Sequence, residues 1–242
     1  MSKVKKWVSF AENEDFNGSE PAFFDISNKD WKILLEKNYL LILADLQNVI
    51  SNQNKNIVPY YNQTLASNPA SWTIFPLIMW GKRNSDNCNQ VNETIKIISQ
   101  IKGVTSCGFS ILQPDTKIKP HYGDTNVMYR CHLTLRSNGT INEIGMRVGT
   151  EIITWENGKL FAFCDAYNHE VWNKTNEERW ILIIDVLREE FIDDQVNICK
   201  LINATLWWQL KFQRNYFLKH LPKWSRRWLM KTTAIFIKID KP

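Results

Sequence analysis

The chain has 242 residues, 44% of them apolar with eleven Trp, which is ample for a sizeable hydrophobic core. It has no run of about 20 apolar residues able to span a bilayer. Its basic start, Met1 to Lys6, leads into a polar, acidic stretch and not into the apolar segment of a signal peptide, so a cytoplasmic protein is expected. The net charge of +5 is unevenly spread: residues 200–242 hold ten Lys/Arg against one acid, Asp240, which leaves the preceding 199 residues at −4.

Residues 1–70 read as an N-terminal arm and helix packed on the core. Within them, 1–27 look irregular, with Phe23-Phe24 as a docking point. Asp25 to Asn28 offers N-cap residues for a helix reaching about Ser51, because Trp31, Leu34, Leu35, Tyr39, Ile42 and Leu46 recur near helical spacing. A polar, Asn-rich connection follows through Asn68. Trp72 to Trp80 reads as a strand with Pro76 at an edge or bulge. Gly81 to Asn84 is a turn, and about Asn87 to Ile101 fits a second helix.

Beyond that point the pattern becomes β. Apolar, β-branched and aromatic runs appear at Thr105 to Leu112, Tyr129 to Leu135, Ile144 to Val148, Glu151 to Thr154, Leu160 to Phe163 and Trp180 to Val186. Turn signals such as Ser137-Asn-Gly139 and Glu156-Asn-Gly158 separate them. Short strands spaced in this way predict an all-β sandwich or barrel over residues 71–192, with the leading helices on one face. The five cysteines are odd in number and lack Cys-x-x-Cys spacing, so they read as reduced core thiols.

Two histidines, His121 and His169, stand in strand-like sequence, each followed by an arginine, Arg130 and Arg179. That pairing suggests a metal site with an anionic co-substrate beside it. Imidazoles alone do not choose between Fe, Zn, Cu and Ni. An acid two residues after the first histidine would reach the same ion from an extended strand, but Gly123 stands there. Asp124 falls one place too far and should face the other way if the segment stays extended. Arg130 and His132, two apart on one strand, share a face opposite Cys131 and Leu133. Arg179 puts a cation at the mouth of the apolar run Trp180 to Ile184, and an arginine fork gives rigid, bidentate recognition of a carboxylate.

From about Ser71 to Glu189 the chain resembles the aspartyl/asparaginyl β-hydroxylases, which are Fe(II)- and 2-oxoglutarate-dependent dioxygenases. The resemblance rests on Trp72-x-x-Phe75, Gly81-x-Arg83-Asn84, Pro120-His121-x-Gly123-x-Thr125-Asn126, Arg130-x-His132-Leu133, Trp155-x-x-Gly158-Lys159 and Asp165-x-x-x-His169-Glu170-Val171-Trp172, with Arg179 and Asp185-Val186. It implies a mainly β fold, a double-stranded β-helix (jelly roll) with flanking N-terminal helices and a helical C-terminal extension. It also implies a two-histidine iron site without the usual carboxylate, in which His121 and His169 are the metal ligands. By the same match Ser110 and Arg179 would hold the distal carboxylate of 2-oxoglutarate, and Arg130 and His132 would lie near its chelating end, with O2 as the oxidant. The implied reaction is hydroxylation of an unactivated carbon, foremost the β-carbon of an Asp- or Asn-like residue in a peptide or amino acid. Met128 stands where the animal peptide hydroxylases carry a substrate-binding arginine, so a lipid acyl chain stays open as substrate. A non-catalytic jelly-roll binding module is the rival from another class.

Residues 193–242 form a basic, aromatic-rich extension. Leu206 to Phe212 and Asn215 to Leu221 read as amphipathic helices broken at Pro222. Such a segment suits an anionic membrane surface or an acidic partner, or else packs its aromatics on the core with its lysines in water. No nucleic-acid motif accompanies the charge, so nucleic acid is not an expected partner.

Overall fold

A computed structural model of the protein describes residues 5–9, 15–52, 55–215, 218 and 221–240. Two short helices, α1 (Asp30–Lys37) and α2 (Tyr39–Ser51), precede the β region. They replace the single helix expected, because the chain breaks at Asn38, whose amide side chain turns back to donate to the Leu34 carbonyl at 2.8 Å. The start also comes later than the polar residues suggested. Asp25 caps a local turn by accepting from the Ser27 N–H, and the helix opens after Lys29.

The large sheet holds eight strands. In spatial order they are β1 (Phe23–Phe24), β10 (Leu160–Phe163), β7 (Met128–Arg136), β12 (Arg179–Leu187), β5 (Val104–Leu112), β3 (Trp72–Met79) and β2 (Val58–Pro59), with β4 (Lys82–Arg83) also on β3. The small sheet runs β6 (Thr116–His121), β11 (His169–Asn173), β8 (Ile144–Val148) and β9 (Glu151–Ile153). All pairings within them are antiparallel. This is the mainly β jelly roll, with helices on one face. Phe23-Phe24, expected as a docking point, adds a short edge strand against Phe163 and Ala162.

Pro76 lies inside β3, where the register with β5 shifts between Pro76 and Ile78; the bulge absorbs the missing donor. His121 closes β6, with Pro120 inside the strand. Because β6 is the edge of the small sheet, a proline there costs no ladder bond. The second helix is split into α3 (Ser85–Cys88) and α4 (Asn92–Ile98). Asp45 on α2 fixes the start of α4 from across the interface, accepting from the Thr94 N–H at 2.7 Å and its hydroxyl at 2.8 Å.

Period-two alternation divides the large sheet into two environments. On β12, Trp180, Leu182, Ile184 and Val186 pack toward the helices, in one cluster with Leu35, Ile42 and Leu46. Cys131, Leu133 and Leu135 of β7 join them. Ile181, Leu112 and Trp72 face the small sheet and meet Ile118, Met146, Val148 and Val171. Fully burying a side chain such as Leu182 or Ile181 stabilises the fold by about 1.5–3 kcal/mol. All five cysteines are buried free thiols.

The C-terminal extension begins with α5 (Gln195–Arg214), whose first turns dock Ile198, Cys199 and Ile202 on Trp80, Met128, Leu187 and Phe191. The break expected at Pro222 is there, but a further helix not expected, α6 (Lys223–Phe236), starts after it and folds back so that Trp208 donates to the Thr233 hydroxyl at 2.9 Å. Of the expected second amphipathic segment, Tyr216, Phe217, Lys219 and His220 lie outside the described residues. Among the described residues no helix is long and apolar enough to cross a membrane.

Candidate active site

Ser110, His121, Arg130, His132, His169 and Arg179 all line one pocket between the two sheets. They come from five strands, and pairing brings them together. His121 and His169 are direct cross-strand partners on β6 and β11, with ring centroids 4.1 Å apart. Arg130 and His132 project to the pocket side of β7, opposite Cys131 and Leu133 as the alternation required.

The two imidazoles are oriented alike. His121 Nδ1 donates to the Lys119 carbonyl at 2.8 Å, and His169 Nδ1 donates to the Tyr167 carbonyl at 2.9 Å. Each bond fixes the proton on Nδ1 and leaves the Nε2 lone pair as the free ligand atom, the usual arrangement around a metal-binding histidine. Burial lowers both pKa values from the ordinary imidazole range, that of His169 well below it, which favours the neutral, ligating form. Among the described residues no group of three His, Cys, Asp or Glu is arranged to hold a metal ion.

What stands where an acid at position 123 would have been is now visible. A Cβ on Gly123 would lie 1.6 Å from Asp165 Oδ2 and 1.9 Å from its Cγ. The carboxylate of Asp165 therefore fills the space beside the histidines, with Oδ1 3.7 Å from His169 Nε2. Asp165 is held there by the Asp124 N–H at 2.9 Å and by Arg130 Nη1 at 2.6 Å. Gly123 follows from this close approach, since any side chain would displace the carboxylate.

Arg130 faces Asp185 directly across β7 and β12 and grips it with a fork: Nε to Oδ1 and Nη2 to Oδ2, both 2.9 Å. With the bond to Asp165, three of its five N–H donors are used, and two remain. Residues Asp165 and Asp185 carried no assigned role in the sequence reading. Their positions in the motifs were visible, but what they bind depends on strand pairing.

Arg179 is the reverse case. It is 1% exposed, its Nε finds no acceptor, and no carboxylate pairs with it within 4.0 Å among the described residues. Its partners are the Ser110 hydroxyl, 3.3 Å from Nη2, and the face of Trp155, 4.8 Å from the guanidinium carbon. Burial alone pushes it down to about 9. Ser110 also accepts from Trp72 Nε1 at 3.0 Å, so both of its lone pairs are engaged and its O–H is left to donate into the pocket. His132 is likewise buried with Nδ1 unpartnered, between Trp155, Phe161 and Phe163.

Asp124 departs from expectation. The chain turns after His121, so this carboxylate lines the pocket instead of facing away from it. Met128, by contrast, is fully buried beneath α5 with Trp80 and Leu187.

Fold and site together define a jelly-roll protein whose inter-sheet pocket holds two neutral histidines, a paired arginine and an unpaired one. The chain belongs to the aspartyl/asparaginyl beta-hydroxylase family, whose model matches residues 36–189. It is similar to the ornithine lipid ester-linked acyl 2-hydroxylase of Rhizobium tropici, 29% identical over 173 residues, 69% of this chain and 61% of that protein. It is also similar to the aspartyl/asparaginyl beta-hydroxylase of Homo sapiens, 32% identical over 168 residues, 66% of this chain and 21% of that one. The chain thus spans less than two thirds of the length of either relative. Among solved structures, a prolyl-4-hydroxylase of Pseudomonas putida matches 62% of this chain and 87% of its own at a TM-score of 0.41 and 18% identity.

Proposed function

We propose that the protein is an Fe(II)- and 2-oxoglutarate-dependent dioxygenase that hydroxylates an unactivated carbon. The observation that carries this reading is Arg179: a guanidinium buried without a carboxylate, in the same pocket as two histidines whose Nε2 atoms are free. A lone buried cation is strongly unfavourable unless something anionic completes it.

In this reading His121 and His169 hold the iron through Nε2, and Arg179 with the Ser110 O–H holds the distal carboxylate of 2-oxoglutarate. Arg130 stands next to the histidines through Asp165, with two N–H donors to spare for the other end of the co-substrate, and His132 lines the same wall. Iron, 2-oxoglutarate and O2 together supply the oxidant; the protein supplies orientation and a shielded cavity. Asp165 puts a carboxylate beside the histidines without entering the sequence as a His-x-Asp motif.

In a peptide or amino acid the carbon attacked would be the β-carbon of an Asp- or Asn-like residue. A second reading, hydroxylation of a lipid acyl chain, is favoured by the pocket's apolar wall of Ile74, Pro76, Ile78, Met79 and Leu206. Leu206 belongs to α5, whose neighbour Trp207 is exposed, so this wall leads to the basic, aromatic extension. Such a surface suits peripheral contact with an anionic membrane.

The test is anaerobic addition of Fe(II) and 2-oxoglutarate. A visible metal-to-ligand charge-transfer band is expected, together with succinate formation once O2 is admitted. His121→Ala and His169→Ala should each abolish both, while Asp124→Ala should spare the band. Wild-type protein without the band would overturn the dioxygenase reading.

A further inference from the structure

Asp124 is the counterpart of Arg179 with the sign reversed. Its carboxylate lines the pocket, and its side chain accepts a single hydrogen bond, a long one of 3.3 Å from Trp80 Nε1. Among the described residues no cation lies within 4.0 Å of it. Arg130, the cation of that region, is paired with Asp165 and Asp185. Burial pushes the carboxyl up to about 6, against a partly offsetting attraction from Arg130, so it is ionised at pH 7 and above but poorly compensated.

Its surroundings are aromatic. Trp80 donates to it, and Tyr60 and Tyr61 line the same pocket, their pKa values raised by burial first and to a lesser degree by the Asp124 charge. Those two rings are 4.4 Å apart, and Tyr60 stacks on Trp72 at 3.8 Å. A carboxylate flanked by electron-rich rings is the environment that binds organic cations.

The pairing points the same way. Of the carboxylates in this region Asp165 and Asp185 are bonded to Arg130, and among the described residues Asp124 lines the pocket without a paired cation. Fe(II) and the 2-oxoglutarate dianion carry equal and opposite charge, so loading would leave Asp124 unpaired. We infer that Asp124, with Tyr60, Tyr61 and Trp80, recognises a cationic group on the substrate, a primary ammonium or a guanidinium. This rests on the dioxygenase reading for the identity of the pocket, but not for the recognition itself. An amino-acid ammonium and the ammonium of a lipid headgroup share this chemistry.

The test compares hexylamine with hexanoate by calorimetry on the full chain, both unloaded and loaded anaerobically with Fe(II) and 2-oxoglutarate. Wild-type protein loaded with 2-oxoglutarate, so that Arg179 is occupied, is expected to favour the amine about tenfold or more, and the unloaded protein is expected to bind the amine as well. Asp124→Asn, which keeps the shape and the acceptor for Trp80, is expected to lose about tenfold in amine affinity while the charge-transfer band and hexanoate binding stay within about twofold. An affinity that rises steeply from propylamine to octylamine would assign the cation to a lipid-like substrate, and a flat series to an amino acid or peptide. Absent binding of the amine by wild type, binding no better than that of hexanoate in the loaded protein, or unchanged amine binding by Asp124→Asn, overturns the inference. So does loss of the band in that variant, which would place Asp124 in the metal site. If wild type shows no band, the dioxygenase reading falls, while the unloaded titrations still decide the recognition.

Discussion

A guanidinium that is 1% exposed and pushed down to about 9 destabilises the unliganded fold, because burial penalises the charged form. Arg179→Met, of similar reach and without charge, is therefore expected to raise the stability of the ligand-free protein by about 1–3 kcal/mol. The same variant should lack the melting-temperature gain expected of the wild type with 2-oxoglutarate, since a ligand that binds only the native state stabilises it. A variant that melts lower, or that still responds to 2-oxoglutarate, would detach Arg179 from the co-substrate. Asp124 makes a companion case with a definite pH signature. Its carboxyl titrates near 6 in the fold and near 3.8 when exposed, so the unfolded chain loses its proton first as pH rises. Stability is thus lost between about pH 4 and 6 and stays lost above. Asp124→Asn should match the wild type at pH 3.5 and exceed it by on the order of 2–3 kcal/mol at pH 7.5. Urea melts at the two pH values check this; a constant difference would mean that the carboxylate is compensated in the fold.

At the level of elements, the C-terminal hairpin behaves as two things at once. The start of α5 is core: Ile198, Cys199 and Ile202 are buried against Trp80 and Met128. The outer side of α6 is not, for Arg227, Trp228, Lys231 and Ile235 fall at helical spacing and are exposed, and Phe236 at its end is 83% exposed. A truncation at Asn197 would strip the core along with the surface, so substitution is the cleaner probe. Intact protein is expected to float with vesicles containing anionic phospholipid, less so at high salt. A Trp228→Glu, Lys231→Glu, Ile235→Glu variant should stay at the bottom of the gradient with its melting temperature within about 1 °C of wild type, since solvent-facing changes shift stability little. Equal flotation of the two would assign the hairpin a packing role alone. The element boundaries carry a lesson of the same kind. The helix expected over about Asn87 to Ile101 was legible as helical material, yet its division into α3 and α4 depends on Asp45, a residue of another helix, reaching Thr94.

Across the whole molecule, six of the strands from Val104 onward were legible because each of them carries its own record of alternation and burial. Ile144–Val148 and Leu160–Phe163 match their expected bounds, and Met128–Arg136 and Arg179–Leu187 extend theirs by one residue at each end. The strands that bear the two histidines were not marked. They are short, β6 contains a proline, and β11 mixes polar with apolar residues, so neither shows a clean period. The sequence by itself determined the ligand-type residues, their arginine companions and the absence of an acid at Gly123, because those are matters of residue type and spacing. Only the tertiary structure decided how the charges are partnered: Arg130 with Asp185, 55 residues away, and with Asp165, 35 residues away. It alone shows that Asp165 occupies the space beside Gly123, that Arg179 is left without an anion, and that Asp124 is left without a cation. The physical reason is that desolvation and ion pairing depend on distance in space, and in an antiparallel jelly roll the neighbours in space are strands remote in the chain.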